Sequence, residues 1–333
     1  MPKPKVFITR IVPEKGIEMV REVCEVDLWE SDDVVPREIL LRKVQDIDGL
    51  YCLLTDRVDA ELLDRAPRLK VVSNMAVGFD NIDVPECTKR GIPVGNTPGV
   101  LTDTTADFAF ALMMAAARRI VEGVDYVRAG KWKTWGPTLL MGQDIHHSTL
   151  GVVGFGRIGK GMARRAQGFG MRVLFYDTVP VDLEEARSVY RAEPADLETL
   201  LRESDFVSLH VPLTKETYHM ISTRELKLMK KTAILVNTSR GPVVDPKALY
   251  EALKNGEIAY AALDVTEPEP IPPDDPLLTL PNCIIVPHIA SASVATRTKM
   301  ATMAAENLIA GLRGERLPNC VNPEVYQRGQ QIS

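Results

Sequence analysis

The sequence predicts an α/β protein built from two doubly wound parallel-sheet domains. Three observations carry that expectation. The 333 residues exceed one typical core and suit two domains of about 150 residues each. Short β-branched runs alternate with amphipathic stretches from the first residues onward, the pattern of a parallel sheet covered on both faces. The alternation stops at Asn96-Thr97-Pro98-Gly99, a breaker cluster suited to a hinge, and restarts at Ser148.

Taken in order, the first half predicts strands at residues 6–9, 26–29, 49–54, 70–73 and 92–95, with helices over 13–23, 36–44 and 60–66. A long helix is expected from residue 103 to about 129, then a loop carrying Trp132 and Trp135. The second half predicts strands at 150–153, 172–176, 205–210, 232–237, 258–264 and 283–286. A last helix, from 293 to about 312, lies beyond the second sheet and is expected to return and pack on the first domain.

Composition narrows the function classes. Hydrophobic residues at 45% and charged residues at 26% mark an ordinary folded chain and not a disordered one. A net charge of -5 offers no basic excess to phosphates, so nucleic acid is not an expected partner. The opening Met1-Pro2-Lys3-Pro4-Lys5 leads into an apolar stretch too short for a signal peptide. The run 108–117 has about half the length that a bilayer requires and is closed by Arg118-Arg119. A soluble, cytoplasmic protein without a membrane partner is therefore expected. The five cysteines form no close pair and no metal-ligand spacing; Cys52 and Cys283 read as reduced core thiols.

Gly154-Phe155-Gly156-Arg157-Ile158-Gly159 matches G-x-G-x-x-G. Three glycines alone are a weak signal, but here an apolar strand leads in and a helical pattern leads out. The glycines then allow a tight turn, close approach of a pyrophosphate and helix–strand packing, with the helix N-terminus facing the phosphates. Asp177 stands 18 residues past Gly159, at the end of the next strand. A carboxylate there accepts from ribose hydroxyls and repels a 2′-phosphate, and Thr178-Val179-Pro180 supplies no arginine for one. NAD(H) is the expected cofactor; a solvated strand-end carboxylate is the plainer alternative.

A nicotinamide enzyme acting on a 2-oxo acid needs a proton donor and a carboxylate anchor. Histidine is the natural donor near neutrality, and the chain has five. His146 and His147 read as exposed loop residues, His210 ends a strand on the adenine side, and His219 lies in a connecting segment. His288 follows the last strand at the sheet's carboxyl end, where ligands bind in such folds, and is the candidate by elimination. Arg240 follows the strand 232–237, with Gly241 giving the backbone room. Its guanidinium suits a carboxylate bidentately, and a salt-bridged loop arginine is the alternative. Glu267 and Glu269 both stand past a third strand, and periodicity does not choose between them as the histidine's partner.

With these blocks in view the chain resembles the D-isomer-specific 2-hydroxyacid dehydrogenases, and among them the glyoxylate/hydroxypyruvate reductases, over essentially its full length. The matching segments are 77–83, 96–99, 151–159, 209–214, 237–241, 263–265 and 287–289. The resemblance implies a Rossmann cofactor domain, residues 100–289, inserted into a flavodoxin-like substrate domain formed by residues 1–99 and 290–333. It implies hydride transfer between NAD(H) and a small 2-oxo or 2-hydroxy acid, with Arg240 as carboxylate binder, Glu269 as relay carboxylate and His288 as acid/base. It also implies that backbone N–H groups of Val77 and Gly78 hold the substrate carboxylate. Thr105, Thr238 and Asp264 are implied at the nicotinamide half of the cofactor, and His210, Pro212 and Thr217 at its adenosine half. Trp135 resembles a tryptophan that enters the neighbouring subunit's site; packing in a dimer arm is the alternative.

Two departures stand out: Ala290 replaces the usual glycine after Pro287-His288-Ile289, and Asp177 differs from NADP-preferring reductases. Leu53 and Met75, by their strand-end positions, and Trp135 are expected around the substrate's far end. All three are bulky and uncharged, which favours small acids. A homodimer is expected through the cofactor domain, with the run 108–117 at its centre. Two competing readings share this scaffold. A phosphite dehydrogenase would carry lysine in place of Val77, and an NAD(H)-sensing corepressor would carry disordered tails.

Overall fold

The computed structural model describes residues 2–327. It divides into two compact units, Met1–Leu101 with Ala292–Ser333, and Thr102–Ser291. The expected segment 290–333 thus runs past the described residues at 328–333.

The first unit alternates β1 (Lys5–Ile8), α1 (Glu14–Val23), β2 (Glu25–Leu28), α2 (Arg37–Lys43), β3 (Gly49–Cys52), α3 (Ala60–Arg65), β4 (Val71–Asn74), α4 (Val84–Lys89) and β5 (Val94–Gly95). Its five strands are all parallel, in the order β2-β1-β3-β4-β5, which is the flavodoxin-like winding. β3 and β4 are buried at every position, so neither alternates between a core face and a solvent face; the polar Ser73 and Asn74 that end β4 are buried as well. Helix starts follow local chemistry. The Asp59 side chain accepts from the Leu62 amide at the head of α3, and Asp83 accepts from the Glu86 amide at the head of α4.

The second unit holds α5 (Thr102–Ala117), α6 (Ile120–Arg128), β6 (Thr149–Val153), α7 (Arg157–Gln167), β7 (Arg172–Tyr176), α8 (Leu183–Ser188), β8 (Ala192–Pro194), α9 (Leu197–Glu203), β9 (Phe206–Leu209), α10 (Thr223–Leu228), β10 (Ile234–Asn237), α11 (Pro246–Lys254), β11 (Tyr260–Leu263) and β12 (Cys283–Ile285). Its seven parallel strands run β12-β11-β10-β9-β6-β7-β8. Counted from β6, this is the order of dinucleotide-binding sheets with one strand added at the β12 edge. The winding reverses between β6 and β9, and the crevice beyond their carboxyl ends is where such sheets bind ligands. The chain then returns to the first unit with α12 (Val294–Leu312), which packs on α1, β3 and β4. There the Tyr51 hydroxyl donates to the Ala301 carbonyl at 3.1 Å and Ser73 Oγ donates to the Ala304 carbonyl at 2.7 Å.

Three expectations are corrected. The single helix over 103–129 is two helices, because Arg119 takes a left-handed conformation (φ 51°) and its guanidinium folds onto Glu122. The short strand β8 was not expected; it is an edge strand carrying Pro194, which cannot extend a ladder from both sides. The run 108–117 is not held back for a partner. Ala109, Phe110, Leu112, Met113, Ala116 and Ala117 are buried in the second unit's own core, at about 1.5–3 kcal/mol for each large side chain. The exposed apolar face belongs to α6, through Ile120, Val121, Val124 and Val127. Among the described residues no helix is long and apolar enough to cross a membrane, and no acidic, histidine and cysteine cluster could hold a metal ion.

Candidate active site

The three glycines after β6 do three different things. Gly154 has φ +90°, and a Cβ there would lie 2.7 Å from the His210 backbone at the end of β9. Gly159 sits in α7 with its would-be Cβ 2.1 Å from the Gly154 carbonyl oxygen, so only glycine lets the helix lie this close to the strand. Gly156 is unlike both. Its backbone is extended, and nothing lies within 4 Å of a would-be Cβ. Neither strain nor crowding in the chain requires glycine there; open space is kept at the N-terminus of α7, where backbone N–H groups face outward. That is the approach a pyrophosphate needs.

Arg157 and Ile158 form the first turn of α7 between these glycines. Asp177, just past β7, accepts from the Phe155 amide at 2.7 Å and from the Val179 amide at 2.9 Å. It therefore ties the glycine turn to the neighbouring strand, and a carboxylate's remaining lone pairs can still accept from ribose hydroxyls. This tie was not foreseen, because the register of two strands decides which amide reaches the carboxylate. Next to the turn, His210 Nε2 is 2.8 Å from Ser208 Oγ, and burial lowers its imidazole to about 3, so it is neutral at ordinary pH. Thr217 Oγ1 donates to the Pro212 carbonyl at 2.6 Å, bracing that loop. Thr105 is buried in the first turn of α5. Thr238, just past β10, is buried with its hydroxyl unpartnered, an orphan group that a cofactor amide would satisfy. The glycine cradle and this hydroxyl fit a dinucleotide.

The carboxyl ends of β10, β11 and β12 carry Arg240, Glu269 and His288. His288 Nδ1 donates to Glu269 Oε1 at 2.6 Å, so the geometry pairs His288 with Glu269 and not with Glu267. Burial alone would raise the Glu269 carboxyl. The His288 hydrogen bond and charge, with Arg240's charge behind them, hold it below the ordinary glutamate value instead. Arg240 Nη1 donates to the Ser239 carbonyl at 2.9 Å, and Asn237 Nδ2 donates to the Arg240 carbonyl at 2.9 Å, which pins the turn.

Asp264 turns out to be the staple of this site. It is buried, and its two oxygens accept from the Ile289 amide at 2.7 Å and the Ala290 amide at 2.9 Å. Its own carbonyl accepts the His288 amide at 2.9 Å. Together these bonds hold His288 at φ 52°, a backbone conformation that needs outside support in a residue other than glycine. Ala290 is buried beneath this staple.

In the first unit, the turn after β4 presents Val77 and Gly78. The Asn96 side chain donates to the Val77 carbonyl at 2.8 Å and the Asn74 side chain to the Gly78 carbonyl at 3.1 Å. Their amides make no hydrogen bond among the described residues, the arrangement of an anion-binding turn. Leu53 is half-buried just past β3, its amide donating to Asp56 Oδ2 at 2.8 Å. Met75 is only 4% exposed and belongs to this unit's core, which leaves it little surface to offer a substrate. Trp135, in the loop after α6, is 78% exposed.

A nicotinamide-dependent oxidoreductase is the class that the second sheet, its glycine turn and the histidine–carboxylate pair define. The family model for the NAD binding domain of D-isomer specific 2-hydroxyacid dehydrogenases matches residues 110–290, and the chain belongs to that family. It is 60% identical over 327 residues to the glyoxylate reductase of Korarchaeum cryptofilum, covering 98% of each chain. The glyoxylate reductase of Thermococcus litoralis is 55% identical over 327 residues, 97% of this chain and 98% of that one. Among solved structures, the TT0316 protein of Thermus thermophilus superposes with a TM-score of 0.90 at 47% identity, over 95% of this chain and 99% of that chain.

Proposed function

We propose that the protein reduces glyoxylate to glycolate, and hydroxypyruvate to its D-2-hydroxy acid, with NADH. The observation that carries this reading is the 2.6 Å pair between His288 Nδ1 and Glu269, at the carboxyl end of the cofactor sheet. The names of the relatives support the choice of substrate.

Bound NADH supplies the hydride. Arg240 takes the substrate's carboxylate and carbonyl oxygen, fixing orientation as well as charge. In the first unit, the Val77 and Gly78 amides are donors for a carboxylate. His288, held by Glu269 through Nδ1, passes a proton from Nε2 to the carbonyl oxygen on which alkoxide charge develops, and Glu269 fixes the orientation of the ring. Leu53 and Trp135 are bulky and uncharged, so they leave little room for the ring of phenylpyruvate and give the distal carboxylate of 2-oxoglutarate no ion pair; both are poor substrates on this reading. Asp177 favours NADH over NADPH by meeting a 2′-phosphate with a carboxylate.

The protein is further proposed to be a cytoplasmic homodimer. The exposed apolar face of α6 and the Trp132–Trp135 loop support the assembly, since a patch of this kind on a monomer marks an interface. On this reading Trp135 reaches the neighbouring subunit.

NADH oxidation against a panel of glyoxylate, hydroxypyruvate, pyruvate, 2-oxoglutarate and phenylpyruvate tests the substrate. Glyoxylate or hydroxypyruvate should give the highest kcat/KM, and phenylpyruvate equal to glyoxylate would overturn the reading. The same assay with NADPH tests Asp177, which predicts the lower kcat/KM for the phosphorylated cofactor.

A further inference from the structure

Glu267 and His219 have no part in the reaction described above, yet they are bound to each other as closely as the reacting pair. His219 Nε2 donates to Glu267 Oε2 at 2.6 Å, and the Tyr218 hydroxyl lies 3.4 Å from Glu267 Oε1. The Tyr218 ring stacks flat on the His219 ring, with centroids 4.0 Å apart and planes 16° apart. Both members of the pair are about a quarter exposed, His219 at 28% and Glu267 at 27%.

What distinguishes His219 is where its two ends reach. Its backbone amide donates to the Pro242 carbonyl at 2.8 Å, two residues past Arg240. Its ring holds Glu267, two residues before Glu269. The chain continues the same contact: the Ile221 amide donates to the Val243 carbonyl at 3.1 Å and the Asp245 amide to the Ile221 carbonyl at 2.9 Å. The two turns also touch directly, for a Cβ on Gly241 would lie 1.8 Å from the Thr266 carbonyl oxygen. No side chain separates the Arg240 turn from the Glu269 turn, so their spacing depends on what clamps them. His219 adopts φ 50° to make both contacts at once, a conformation unusual for a residue with a Cβ.

We propose that His219, with Glu267, is a positioning clamp that fixes the turn bearing Glu269 against the turn bearing Arg240. This inference rests on the reading of Arg240 as substrate anchor and Glu269 as relay. A clamp of this kind acts on the reaction and not on cofactor affinity, because both of its contacts fall on the turns bearing Arg240 and Glu269 and neither is made to the Pro212–Thr217 loop. Small misplacements of a substrate-orienting group are costly to rate.

The test uses the full-length protein and four variants, His219→Ala, His219→Gln, Glu267→Ala and the double variant His219→Ala/Glu267→Ala, with Arg240→Gln in parallel. Steady-state kinetics with NADH and glyoxylate are read beside NADH binding by fluorescence titration. His219→Ala should lower kcat/KM for glyoxylate about tenfold while the NADH dissociation constant stays within about twofold, and the double variant should be about as impaired as His219→Ala alone. His219→Gln, whose amide can still donate to Glu267, should recover most of the loss. The clamp is overturned if His219→Ala keeps kcat/KM within about twofold, if NADH binding weakens in step, or if the two losses simply add. Should His219→Ala fail to fold, His219→Gln and Glu267→Ala decide: activity must persist in the first and fall in the second. Arg240→Gln separates the two levels. If it retains wild-type activity, the functional reading itself fails; if it is crippled while His219→Ala is not, only the clamp fails.

Discussion

The second unit contains two histidine–glutamate pairs whose heavy atoms are equally close, 2.6 Å in His288–Glu269 and 2.6 Å in His219–Glu267. Both histidines have positive φ, 52° and 50°, and their glutamates are two residues apart. They differ in which ring nitrogen is engaged. Glu269 takes Nδ1 of His288, the nitrogen near the backbone, so the tip of that ring points away from its partner. Glu267 takes Nε2 of His219, which uses up the tip. Distance alone therefore does not separate the two pairs, and on the proposed reading the engaged nitrogen does, because a ring held at Nδ1 can turn its Nε2 to a substrate.

The largest expected effect that could break this contrast is His288→Ala. It should lower kcat by about 10²–10⁴-fold with NADH binding unchanged, since the donor matters as alkoxide charge develops. Near-wild-type turnover in steady-state assays would move the proton donor elsewhere. Next in size is Glu269→Gln, expected to lower kcat by about 10–100-fold through loss of the imidazolium's partner. A loss no larger than that of Glu267→Gln would erase the difference between the pairs. A sharper comparison places glutamine at both histidines. His219→Gln should stay within about threefold of wild type, whereas His288→Gln should be as inactive as His288→Ala, because an amide holds a carboxylate but does not shuttle a proton. Parallel kcat measurements on the three variants decide it.

The smallest effect is on stability. Glu269 is held below its ordinary value of 4.5, despite burial, by the His288 bond and charge and by Arg240. A lowered folded-state value means that the contribution to stability is fully present above 4.5 and is lost as pH falls through the lowered value. The gap in melting temperature between wild type and Glu269→Gln should therefore be widest at neutral pH and close on acidification. Thermal unfolding across that range checks it, and a gap that grows with acid would contradict the assigned pairing. His210 works in the same direction, through burial and not through a partner. Its imidazole is lowered to about 3 by burial, so unfolding takes up a proton between the ordinary 6.5 and that value, and stability should drop as pH falls across this window.

Much of this architecture could be read from local pattern. The runs that became β1, β3, β6 and β10 are largely apolar because strands of a covered parallel sheet are buried on both faces. Gly154 and Gly159 answer backbone requirements that no other residue meets and Gly156 keeps the turn open, so the spacing is visible without coordinates. His288 and Arg240 could be placed past strand ends because strand and residue are adjacent in the chain.

What the chain order could not decide is which of two neighbouring glutamates meets which of two distant histidines. His219 and Glu267 are 48 residues apart, and His288 and Glu269 are 19. The same holds for Asp177 reaching the Phe155 amide, Asp264 stapling Ile289 and Ala290, and the left-handed break at Arg119. The sequence by itself determined two runs of strand–helix alternation, hence two covered parallel sheets, and the glycine turn, since periodicity and glycine geometry are local. Only the tertiary structure decided the pairings, because each depends on the register of strands and turns brought together from separate parts of the chain, and a shift of one residue there exchanges one partner for another.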